Sequence, residues 1–345
     1  MSGSTSGSAP QEPTTARRGR SPWRWLAAIV GVVAIVLVVS YVVAAGLVYR
    51  ELSVIDTSCE TRNAANNPAS FTVEPVNGVT VDATPYEMPD YREVSFPARN
   101  GGPTIRGWFV PSSTGATAPA VIVVHGKSSC RREDRILLAS GMLHKHGFAV
   151  LMIDLRNHGE SDRDNGRYAG GIKEYQDVLG AWDWLVGQGL PPARIGLLGE
   201  SLGAGTTMIA AGEEPRVAAE WEDSGYADVE VAIRAELDRN HYPELLEPGG
   251  LILAQLIDGV DLTSKSPLKA MAKLHGRPIF IVHGTADERL SVQYASDLAA
   301  AVRANGGTVD PWIIPGVGHT QAVVLHAKEY EQKLADFFGA ALGRP

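Results

Sequence analysis

The chain has 345 residues, enough for one large domain or two smaller ones. Its 44% hydrophobic and 20% charged residues are ordinary for a globular protein and single out no function. The net charge is −8, and Arg17, Arg18, Arg20, Arg24 and Arg50 lie within the first fifty residues against Glu12 alone. The remainder is therefore an acidic body that repels a phosphate backbone, which argues against nucleic acid as a partner.

Residues 1–22 are rich in Ser, Thr, Gly and Pro and read as a disordered cytoplasmic tail. Residues 23–49 read as a transmembrane anchor, because Trp25 to Val48 holds no charge. As a helix that run would rise about 36 Å, against roughly 30 Å of bilayer hydrocarbon. Trp23, Trp25, Tyr41 and Tyr49 lie at or near its ends, as interfacial aromatics do. Two other readings exist. A buried core helix is rarely apolar on all sides, and a cleaved signal peptide, which the small residues near Ala44 would allow, has an apolar stretch of only about 7–15 residues. Arginines concentrated before the span keep the N-terminus cytoplasmic. The expectation is a single-pass protein of the cell membrane with its body outside the cytoplasm. There a bridge between the two cysteines, Cys59 and Cys130, is permitted; two free thiols are the alternative.

Residues 50–89 read as a linker or loosely packed lead-in, and residues 90–345 as the folded domain. Strand-length apolar runs follow at 94–96, 105–110, 120–124, 149–153, 195–198, 217–221, 279–282 and 309–314. Helical patterns alternate with them in "DRILLASGMLHKHG", "IKEYQDVLGAWDWLVGQG", "VQYASDLAAAVRANGG" and "AKEYEQKLADFFGAAL". That alternation predicts an α/β fold, a mostly parallel eight-stranded sheet with helices on both faces. The first two strands lack a helix between them and should form an antiparallel edge hairpin. The interval at about 225–275 is too long for one crossover and reads as a helical cap insertion.

The triplet Gly-Glu-Ser occurs twice. In "IGLLGESLGAG" an apolar run feeds Ser201 into a small-residue helix, with Gly199 and Gly203 two residues to either side. This is the nucleophile-elbow pattern, a strained strand-to-helix turn that presents its side chain. In "LRNHGESDRD", Ser161 is flanked by polar residues and reads as a turn cap. A reactive serine needs a base and an orienting acid. His319 in "IIPGVGHTQ" follows the last strand, and Asp287 in "VHGTADERLS" follows the strand before it. The order Ser201, Asp287, His319 is the one this elbow implies; Glu222 or Asp223 is the rival acid. His125 and His283, each in "VHG", read as turn braces, while His144, His146, His275 and His326 read as peripheral. The N–H of Leu202, opening the helix, and that of Lys127 in "VVHGKSS" are the candidate oxyanion donors. The Lys127 ammonium reads as a substrate contact or a solvated loop charge.

Together "VVHGKSS", "DLRNHGES", "GLLGESLGAG", "VHGTADE" and "GVGH" resemble the α/β-hydrolase superfamily over Tyr91 to Leu342. The cap and "HGTADE" are similar to its serine esterase and acylaminoacyl- or prolyl-peptidase-like branches. Asn157 stands where such proteins often show glycine. The resemblance implies acyl transfer through an acyl-enzyme, with no metal or organic cofactor, on a small-molecule or lipid-like carboxylic ester. The lack of a recognisable propeller tilts the reading toward esters over peptides. A serine peptidase is the alternative within the fold, and a non-catalytic binding module the alternative outside enzymes.

Overall fold

The computed structural model describes Gly7, residues 22–99 and residues 101–344. The expected disordered tail falls outside the described residues, apart from Gly7 and Pro22. The chain divides into two compact units, residues 1–44 and 45–345.

In the first unit the described structure is the leading part of the helix Pro22–Ser53. Its valines, leucines and isoleucines are solvent-exposed. By length and composition the helix could cross a membrane, and a signal sequence would meet the same criteria.

The second unit is built on eight strands: β1 (Arg92–Pro97), β2 (Thr104–Val110), β3 (Ala120–Val124), β4 (Ala149–Ile153), β5 (Ile195–Glu200), β6 (Ala219–Asp223), β7 (Ile279–Gly284) and β8 (Trp312–Ile314). They form one sheet in the order β1-β2-β4-β3-β5-β6-β7-β8. β1 pairs antiparallel with β2, and β2 with β4. All other pairs are parallel. β3 shows why its sequence is uniformly apolar: Ala120, Ile122 and Val124 enter the core on one face, Val121 and Val123 that on the other. The first face carries the helices Tyr175–Gly187 and Leu202–Glu213, the second Asp134–Lys145 and Ala327–Leu342. Each buried Leu, Ile or Val contributes about 1.5–3 kcal/mol through removal from water.

Three differences from the sequence reading have physical causes. β6 runs two residues beyond its apolar run, because its end, with Glu220, Glu222 and Asp223, is acidic yet buried. β8 is confined to Trp312–Ile314; the Val309 carbonyl accepts hydrogen bonds from the Arg303 guanidinium at 2.7 and 3.1 Å. The stretch read as a lead-in buries Phe71, Val76, Tyr86 and Met88 in the core. Its apolar residues follow no regular period, so no pattern announced them. Cys59 and Cys130 form a disulfide that ties this stretch to the loop after β3.

Within residues 225–275 lie the helices Val229–Arg239 and Glu247–Asp258 and then Pro267–Met271. The last of these packs against the helix Leu202–Glu213, where Ala270 abuts Gly212.

Candidate active site

The carboxyl ends of β5, β7 and β8 bring the chemistry to one rim. Ser201 follows β5 with φ 54° and ψ −117°, a backbone conformation that costs about 1–3 kcal/mol and is held by its surroundings. The Ser201 N–H donates to the Asp223 carbonyl at 2.9 Å. A Cβ on Gly199 would lie 2.4 Å from the Gly203 backbone, and one on Gly203 would lie 2.2 Å from the Val124 carbonyl oxygen. Both positions therefore require glycine for the turn to close.

The sequence-predicted residues converge here. His319 Nε2 is 2.9 Å from Ser201 Oγ, and His319 Nδ1 is 2.7 Å from Asp287 Oδ2. An ionised carboxylate only accepts, so Nδ1 carries the imidazole proton and Nε2 is free to accept from the serine hydroxyl. Burial alone would raise the Asp287 carboxyl, but hydrogen bonds from His283 and His319 outweigh it and hold the group below the ordinary carboxylate value. Its other oxygen accepts from the Arg289 and Leu290 amides, each at 2.9 Å.

The rival acids are occupied elsewhere. Asp223 accepts from Ser224 Oγ at 2.8 Å and from Tyr330 Oη at 3.0 Å; Glu222 accepts from the Gly225 amide. His125 and His158 brace the rim loops as neutral rings. His125 Nε2 accepts from the Leu155 amide at 3.1 Å and His158 Nε2 from the Ser128 amide at 3.2 Å. Burial pushes these histidines down to about 4 and about 3. Asn157 has φ 66°, a left-handed conformation that asparagine tolerates, which accounts for its replacing glycine.

Among the described residues, the amides of Leu202 and Lys127 have no acceptor. Gly126, next to Lys127, lies against Ser201, where an added Cβ would sit 3.2 Å from the serine Cβ. The Lys127 side chain is not the solvated charge considered above. It is largely buried, donates to the Leu52 carbonyl at 2.6 Å and lies 4.3 Å from the Tyr168 ring centroid. Burial pushes its ammonium down to about 8. No group of three or more His, Cys, Asp or Glu among the described residues is placed to hold a metal ion.

Residues 138–345 match the prolyl oligopeptidase family. The chain belongs to that family. Among curated proteins, it is 28% identical over 245 residues to the uncharacterized protein Rv2307c of Mycobacterium tuberculosis, covering 70% of this chain and 76% of the relative. Among solved structures, the Pyrococcus furiosus esterase Pf2001 superposes with TM-score 0.60 at 19% identity, over 79% of this chain and all of that one. An acylaminoacyl peptidase of Pyrococcus horikoshii superposes with TM-score 0.53 at 18% identity, over 74% of this chain and 42% of that one. The fold is that of the α/β hydrolases, and the family match makes the chain a hydrolase of the prolyl oligopeptidase type.

For this prolyl oligopeptidase family member the sequence reading missed one close neighbour of Asp287. His283 Nε2 lies 2.9 Å from the Leu290 carbonyl and 3.3 Å from Asp287 Oδ2. Burial would depress His283, but Asp287 and Glu222 outweigh it and raise the ring above the ordinary histidine value. Its place in "VHGTADE", four residues before the acid, is the signal the sequence offers.

Proposed function

We propose that this family member is a serine hydrolase that cleaves carboxylic esters, anchored by its N-terminal helix with the catalytic unit outside the cytoplasm. The Ser201–His319–Asp287 hydrogen-bond chain is the observation that carries the reading. Ser201 Oγ attacks the ester carbonyl carbon while His319 Nε2 takes its proton and Asp287 stabilises the imidazolium. The Leu202 and Lys127 amides, free to donate, stabilise the oxyanion; one such donor is worth about 3 kcal/mol. The alcohol leaves with the His319 proton, and water then releases the acid from the acyl-serine.

Support for an ester comes from the likeness to the Pyrococcus furiosus esterase, which is matched over its whole length. The test is turnover of p-nitrophenyl acetate and butyrate beside aminoacyl p-nitroanilides. Preferential ester cleavage is expected; cleavage of the amides alone would transfer the reading to a peptidase. The anchored topology is tested by protease shaving of intact cells, which should release the catalytic unit.

A further inference from the structure

We propose that an apolar cleft beside Ser201 is an acyl-chain subsite, and that the substrate is a long-chain acyl ester drawn from the lipid bilayer. The inference rests on the ester-hydrolase reading above and names its substrate class.

Two adjoining cavities carry it. One holds the nucleophile, with Ser201, Leu202 and Lys127 in its lining. The other is a cleft whose walls include Leu52, Leu237, Leu251, Ala254 and Val260. Tyr168, Gly170, Val229 and Ile233 line both, so the nucleophile's pocket and the cleft abut. Most of the cleft's lining is apolar, and several of its polar groups are paired. Tyr49 and Asn165 hydrogen-bond the Asp258 carboxylate, and Glu247 pairs with Arg234 at 2.7 Å. What a ligand meets is mainly hydrocarbon, the lining that suits an acyl chain, with Ser53 Oγ and one Glu247 oxygen unpaired among the described residues.

The position of the cleft names the source. Val48, Tyr49 and Leu52, the closing turns of the N-terminal helix, form one wall, and Glu247–Asp258 forms the facing one. Gly46 approaches Leu253 across this junction. The helix Glu247–Asp258 and the turn before it leave Leu245, Ile252, Leu256 and Ile257 more than half exposed. An apolar face of that kind beside the end of a bilayer-crossing helix is suited to lie in the acyl boundary of the membrane. A lipid ester can then slide its tail into the cleft while its carbonyl reaches Ser201.

The experiment uses the full chain in detergent micelles, with p-nitrophenyl butyrate and p-nitrophenyl laurate as probes. In wild type, kcat/KM should rise about tenfold or more from butyrate to laurate, since each buried methylene favours binding. Gly250 lines the cleft, and a Cβ there meets nothing within 4 Å. Gly250→Trp should therefore occlude the cleft and lower the laurate-to-butyrate ratio about tenfold or more. As a second readout, cis-parinaric acid should bind wild type saturably and Gly250→Trp at least about tenfold more weakly. Butyrate preferred over laurate in wild type, an unchanged ratio in the variant, or no saturable cis-parinaric binding would overturn the subsite. Failure of every ester, with no fluorophosphonate labelling, would instead overturn the hydrolase reading; the cis-parinaric arm would still decide whether the cleft takes an acyl chain.

Discussion

The two Gly-Glu-Ser triplets occupy opposite physical situations. Ser161 Oγ donates to the Asp154 carbonyl at 2.7 Å and accepts from the Arg106 amide at 2.8 Å, so its hydroxyl is committed to holding a loop against β2. Ser201 has a strained backbone, lies beside unpaired amides and hydrogen-bonds an imidazole. The glutamates differ as sharply. Burial would raise Glu160, but Arg131 and Arg132 outweigh it and hold its carboxyl below the ordinary value. Glu200 has burial as its largest influence, and Arg135 offsets it too little, so its carboxyl is pushed up to about 8. Identical letters thus carry no chemistry of their own; the flanking residues decide whether a serine is satisfied or presented.

The sharpest way to break that contrast is Ser201→Ala, which should lower p-nitrophenyl butyrate turnover by on the order of 10⁴-fold or more. Ser161→Ala should leave turnover within about twofold. Asp287→Asn comes next: the imidazole would lose its orienting acceptor, and kcat should fall on the order of 10³–10⁴-fold with little change in KM. Steady-state kinetics on folded variants reads all three.

Smaller effects fall on stability. The Cys59–Cys130 bridge closes a sequence separation of 71 residues. Replacing both cysteines by serine should lower unfolding free energy by about 2–4 kcal/mol, read by urea denaturation. Ser161→Ala should cost about 1–3 kcal/mol in the same assay, because it removes a buried hydrogen bond to the Asp154 carbonyl and the acceptor of the Arg106 amide.

The smallest effect separates the two glutamates. With a raised folded value, Glu200 stays protonated in the native protein while the unfolded chain has ionised. Its contribution therefore destabilises the fold progressively as pH rises from about 4.3 toward about 8. Glu200→Gln should raise the melting temperature at pH 8 by about 2 °C or more and have no such benefit at pH 4. Glu160 has the opposite sign. Its stabilisation is present above the unfolded carboxyl value and is lost as pH falls through the lower folded one. Glu160→Gln should lower the melting temperature at pH 8. Equal responses of the two variants would remove the contrast.

Much of this arrangement was legible in the chain. β3 and β4 appear with their observed limits because central parallel strands are apolar on both faces. Ser201, Asp287 and His319 were readable from elbow glycines and from loops at successive strand ends. What stayed hidden shares one cause: burial of groups that look hydrophilic or aperiodic. β6 ends in Glu-Asp beneath Ser201, supported by a buried relay in which Trp221 Nε1 donates to Tyr330 Oη at 3.0 Å and Tyr330 donates to Asp223 at 3.0 Å. Lys127 turns inward onto Leu52 and Tyr168 although lysine is ordinarily a surface residue. Residues 50–89 pack through scattered aromatics with no period to detect.

The most direct test of the central claim is site mapping of a fluorophosphonate adduct on the folded full-length protein by peptide mass spectrometry. One adduct per chain on Ser201, absent after heat denaturation, is the expected result. No adduct on the folded protein, or an adduct on Ser161 in its place, would contradict the assignment of the nucleophile.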